Sequence, residues 1–239
     1  MQFPKESLMN PNLQPTYSPG STALSVQHRV LRNTYWLLAL SMLPTIAGAW
    51  LGVQMDFSFF RNSPLIGFMA FMAVAFGFFY AIEKTKNTGW GVLLLLGFTF
   101  FMGLMLSRLI GHTLVGFSNG ATLIMMAFGG TASVFVVMAS IATVSKRDFS
   151  NMGKWLFAGV VVLLLASLAN VFLQIPALYL AVSVIAIAIF SAYILYDVQR
   201  IINGGETNYI SATLSLYLDV YNIFVNLLSL LGIFGGNRN

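Results

Sequence analysis

Two carboxylates stand out in a chain with few charges. Asp219 lies deep inside a long apolar stretch near the C-terminus, and Asp197 closes the apolar stretch before it. Ser215, Asp219, Asn222, Asn226 and Ser229 are spaced 4, 3, 4 and 3 residues apart. On a helix that spacing draws one polar stripe along one face. Inserting an Asp near the centre of a membrane helix costs roughly 2.5–3.5 kcal/mol, so such a residue marks a functional site by default. Two carboxylates that meet in low dielectric cannot both ionise easily. They share a proton and titrate as a coupled pair. That is the chemistry of a pH switch, and an ionised pair also attracts a cation. Blander roles compete. Arg200 follows Asp197 by three residues and can pair with it on the same helix face. Glu83 and Lys84 read as interfacial charges. The Asn and Ser of the stripe can serve as hydrogen-bond glue between helices.

Other chemistries find less support. The chain has no Cys, which removes thiol catalysis, disulfides and iron–sulfur clusters. Its two His, His28 and His112, sit in different segments, which argues against a zinc site. No Gly-x-x-x-x-Gly-Lys loop is present, and the basic residues lie at the ends of apolar stretches, so neither nucleotide nor nucleic acid is expected. The sequence calls for no cofactor. Two carboxylates sharing a proton can activate water, which leaves an intramembrane aspartyl hydrolase as a remote alternative. Presenilin-like proteases place their second Asp after Gly-x-Gly, whereas here it follows the bulky Tyr217-Leu218. The expectation is a protein that is not an enzyme.

The elements that must position these residues follow from composition. Of the 239 residues, 58% are hydrophobic and only 8% are charged. Soluble domains carry about 25% charged residues. The expected fold class is therefore an all-α integral membrane protein. Seven apolar stretches fit hydrocarbon-spanning helices: Thr34–Val53, Leu65–Ile82, Gly89–Ser107, Ala121–Val144, Trp155–Leu173, Ala177–Tyr196 and Ile210–Phe234. No charge interrupts the 42 residues between Lys154 and Asp197, too many for one span. Pro176 suits the first turn of a new helix, which divides them there. All four Trp (Trp36, Trp50, Trp90 and Trp155) fall at span ends, as indole rings prefer the headgroup level. Gly48 and Gly52, and Gly232 and Gly236, have the spacing that permits close helix packing. Asn208 or Thr207 can cap the seventh helix.

Residues 1–33 are polar, with Pro4, Pro11, Pro15 and Pro19, and read as a flexible cytoplasmic tail ahead of a transmembrane domain over 34–239. The tail does not have the pattern of a signal peptide, so the first span is expected to be an uncleaved anchor. One side of the membrane would carry Lys5, Arg29, Arg32, Lys84, Lys86, Lys146, Arg147, Lys154 and Arg200. The other would carry Arg61, Arg108 and Arg238. Nine against three of the 12 basic residues puts the N-terminus in the cytoplasm and, after seven spans, the C-terminus outside.

The run GGETNYISATLSLYLDVYNIFVNLLSLLG (Gly204–Gly232) resembles the C-terminal signature of the Bax inhibitor-1 family. HRVLRNTY (His28–Tyr35) is similar to the first-span entry of its bacterial YccA-like branch. The resemblance runs from about His28 to Gly232. It implies seven helices, six surrounding a central C-terminal one, in a bacterial inner membrane. It also implies a pH-sensitive calcium leak governed by two aspartates, one in a Tyr-Asp and one in a Leu-Asp, here Tyr196-Asp197 and Leu218-Asp219. The YccA-like branch implies a different role, binding and modulating the membrane AAA protease FtsH, with the N-terminal tail involved. Leak-type members carry a basic cluster after the second helix whose Arg latches onto the aspartates. Here that segment reads Glu83-Lys84-Thr85-Lys86, leaving Lys84 or Arg200 to replace the latch.

Overall fold

The structure is a computed structural model that describes residues 19–57, 64–145 and 147–237. The first part of the expected tail, Lys5, Arg61, Lys146 and Arg238 lie outside the described residues. Seven helices follow in order: α1 (Pro19–Gln54), α2 (Pro64–Thr85), α3 (Gly89–Gly116), α4 (Gly120–Val144), α5 (Met152–Leu173), α6 (Pro176–Ile202) and α7 (Tyr209–Gly235). Each is long and apolar enough to cross a membrane. The chain is an all-α integral membrane protein.

The helices outrun the apolar stretches that announce them. α1 begins at Pro19, so the segment before Thr34 is helical from that point, earlier than the expected end of the tail at residue 33. α3 continues through Arg108 and His112 to Gly116, and α6 through Asp197 and Arg200 to Ile202. Hydropathy marks where a helix leaves hydrocarbon, whereas backbone hydrogen bonding carries the helix on through the headgroup region. The 28 residues of α3 span roughly 42 Å against a hydrocarbon core of about 30 Å. Pro176 stands in the first turn of α6, and the preceding Gln174 takes a left-handed conformation (φ 51°) that ends α5.

α1 and α3 pack backbone to backbone. A Cβ on Gly48 would sit 2.2 Å from the Phe100 carbonyl oxygen, and one on Gly103 would sit 2.1 Å from that of Thr45. Gly52 leaves room for the side chain of Ser107. At the other end of the bundle Gly232 and Gly236 pack against the ring of Phe117. α7 packs against α1, α2, α3, α4 and α6, while α5 packs on α6 alone. From Asn208 to Gly232 no residue of α7 is exposed. This burial is what a helix with a polar stripe requires in lipid. Gly103→Ala is expected to destabilise by about 1–3 kcal/mol through overpacking. Gly77→Ala, with nothing within 4 Å of the added carbon, is expected to leave stability unchanged or raised. Thermal unfolding in detergent, followed by loss of the monodisperse peak, checks both.

Candidate functional site

α6 and α7 bring the two carboxylates together. Both are buried, with Asp197 8% and Asp219 4% exposed. They lie within electrostatic reach of each other. Tyr193, one turn before Asp197, lies within reach of both. Asp219 Oδ2 is fully buried and has no hydrogen-bond partner. On the surface side Asp197 feels the charges of Arg200 and Glu206. Arg200 makes its ion pair with Glu206 (3.7 Å). Glu83 pairs with Lys86 in an exposed i,i+3 contact. Lys84 lies 5.6 Å from the centre of the Tyr80 ring. Of Glu83, Lys84 and Arg200, Arg200 is the one within electrostatic reach of Asp197.

The rest of the polar stripe is turned on its own helix. Asn222 Nδ2 donates to the Leu218 carbonyl, Asn226 Nδ2 to that of Asn222 and Ser229 Oγ to that of Val225, each at 2.8 Å. Ser215 is half-buried on the same face. The bonds from α7 to other helices come from a different face. Tyr217 Oη and Thr45 Oγ1 are 2.9 Å apart, Thr45 Oγ1 donates to the Thr99 carbonyl at 3.1 Å, and Tyr221 Oη donates to that of Met102 at 3.3 Å. Thr213 Oγ1 reaches the Thr34 carbonyl at 3.4 Å. Sequence reasoning missed this seam of Tyr217 and Tyr221. Its signal was their i,i+4 spacing, with both hydroxyls on the face opposite Asp219.

Three fastenings hold these helices in place. Asn208 caps α7, its Oδ1 accepting from the N–H groups of Ile210 and Ser211, while its Nδ2 donates to Lys86 O and Asn87 Oδ1 in the α2–α3 turn. Buried Gln199 clamps the segment between α4 and α5. Its Oε1 accepts from Phe149 N–H at 2.6 Å and its Nε2 donates to the Arg147 carbonyl at 2.5 Å. In that segment the Ser150 hydroxyl and N–H hold the exposed Asp148 carboxyl below the usual carboxylate range. At the opposite end of α7, Asn119 Nδ2 donates to Gly235 O and Asn119 Oδ1 accepts from Asn237 N–H. Sequence reasoning found Asn208 by its capping position. It missed Gln199 and Asn119, whose partners lie far off in the chain.

Among the described residues no group of three or more His, Cys, Asp or Glu could hold a metal ion. Calcium takes 6–8 oxygen ligands, so two carboxylates would hold it only with much of its water retained.

The residues of this site fall within a match to a known family. Residues 27–236 match the family model described as inhibitor of apoptosis-promoting Bax1. The chain belongs to the Bax inhibitor-1 family. It is 41% identical to the modulator of FtsH protease YccA of Escherichia coli K12, over 90% of this chain and 94% of that protein. It is 35% identical to an uncharacterized membrane protein of Vibrio cholerae, over 88% of this chain and 92% of the relative. In this Bax inhibitor-1 protein, Gln199→Leu would remove the partners of the Phe149 N–H and the Arg147 carbonyl. The expected loss is about 1–3 kcal/mol, with faster amide hydrogen exchange at 147–151. Asn208→Ala is expected to lose about 0.5–2 kcal/mol from the cap, with faster exchange at 86–91 and 209–212. Exchange read by mass spectrometry checks each locally.

Proposed function

We propose that the protein is an inner-membrane modulator of a membrane AAA protease of the FtsH type, with its N-terminus in the cytoplasm and its C-terminus outside. The observation that carries this reading is the 41% identity, over nearly the full length of both chains, to the relative named a modulator of FtsH protease. The helical start at Pro19 supports it, since residues before the bundle then stand on a helix continuous with the first span. Co-reconstitution of the protein with purified FtsH should change the rate at which a membrane-bound substrate is degraded, and deletion of residues 2–18 should remove that effect. An unchanged rate at molar excess, with no co-purification, would count against it.

A second reading has its own observation. The buried Asp197–Asp219 pair, with one carboxylate oxygen unpartnered, supports a pH-sensitive cation leak that passes calcium. Two acids sharing a low-dielectric site release their protons in two separate steps as pH crosses their coupled titration, which alters both the attraction for a cation and the packing of α6 on α7. In calcium-dye liposomes the flux should follow pH across the near-neutral range. Asp197→Asn and Asp219→Asn should each abolish that dependence. The deletion of residues 2–18 should leave flux intact, which separates the two readings. Flux no greater than in empty liposomes at any pH, from folded protein, would sink the leak.

A further inference from the structure

The polar face of α7 is unequal along its length. In the half nearer Asn208, two buried oxygens have no protein partner, Ser211 Oγ and Asp219 Oδ2. Asp219 is itself 96% buried, being 4% exposed. Ser211, Ser215 and Asp219 follow each other at one-turn intervals, about 6 Å apart along the axis and about 12 Å in all. In the far half, Asn222 Nδ2, Asn226 Nδ2 and Ser229 Oγ each donate to a carbonyl of their own helix. That end is also closed mechanically. The Phe117 ring covers Gly232 and Gly236, and Asn119 binds Gly235 and Asn237.

A buried oxygen without a protein partner is expensive, and native proteins satisfy such atoms with ordered water held by two to four polar groups. Hydroxyl, hydroxyl and carboxylate about 6 Å apart match the reach of short water bridges. We propose that a file of water enters the bundle from the Asn208 end, runs along Ser211 and Ser215, and ends at Asp219, while Asn222 to Ser229 form the closed gate. Arg200 and Glu206 mark the mouth of that file, since Asp197 lies within electrostatic reach of both and the Arg200 side chain is 44% exposed. A proton or cation then reaches the aspartates from the Asn208 end only, and passage requires the far half of α7 to open. This consequence for transport rests on the leak reading, but the hydration itself does not.

The absence of Cys from the chain makes the test direct. Single variants Ser211→Cys, Ser215→Cys, Asn226→Cys and Ser229→Cys are made in the full chain, with Thr207→Cys as an exposed control and Ile223→Cys as a dry one. Each is exposed to silver ion from one side of oriented vesicles, then denatured and alkylated to count the thiols left free. Reaction requires water at the thiol. Ser211→Cys and Ser215→Cys should react within about tenfold of the rate of Thr207→Cys, and only from the Asn208 end. Asn226→Cys and Ser229→Cys should react about a hundredfold more slowly, like Ile223→Cys. The inference is overturned if folded, monodisperse Ser215→Cys and Ser211→Cys react as slowly as Ile223→Cys, or react from the opposite end. Two positions guard against one variant failing to fold. Labelling as expected without calcium flux would remove the leak and keep the water file, so the two failures are distinguishable.

Discussion

Polar groups are costly in hydrocarbon, and α7 carries more of them than any lipid-facing helix could bear. An Asp, two Asn and three Ser on one face, with two Tyr hydroxyls on the other, put polar groups on both sides of α7. The other helices answer that demand. α1 and α3 meet through glycines closely enough for Thr45 and Thr99 to reach Tyr217. α6 covers the Asp219 side and brings Asp197 and Tyr193 to it. α5, which touches only α6, has no part in enclosing α7.

The two faces of α7 do different work. The tyrosine face is tied to α1 and α3 by hydrogen bonds between helices, which fix position. On the aspartate face the side-chain bonds of Asn222, Asn226 and Ser229 go to the helix's own backbone, and Asp219 Oδ2 has no hydrogen-bond partner among the described residues. The fastenings at Asn208 and Asn119 hold the two ends of α7, and Tyr217 and Tyr221 tie its middle to α1 and α3.

Much of this was legible in the sequence, for physical reasons that can be named. Seven spans follow from hydropathy, Pro176 from its place in a first helical turn, and the burial of α7 from its stripe. Asn208 was legible because capping is local. The helix ends were not, since Pro19, Gly116 and Ile202 lie where polar residues continue a helix outside hydrocarbon. Gln199 and Asn119 were illegible because their partners are fixed only by tertiary packing. The partners of Arg200, Glu83 and Lys84 were also beyond reach. Each had several neighbours of opposite charge or aromatic character, and only the folded backbone decides among them.

The central claim is that Asp197 and Asp219 act as one titrating unit. Infrared spectroscopy of the carboxyl band, with Asp labelled with carbon-13, tests it most directly. Titration of the Asp197 band is compared between the wild-type chain and Asp219→Asn. A curve for Asp197 that changes its midpoint and loses its second step when Asp219 is replaced is the predicted result. Superimposable curves from folded proteins would contradict it, leaving two independent buried acids and no coupled site.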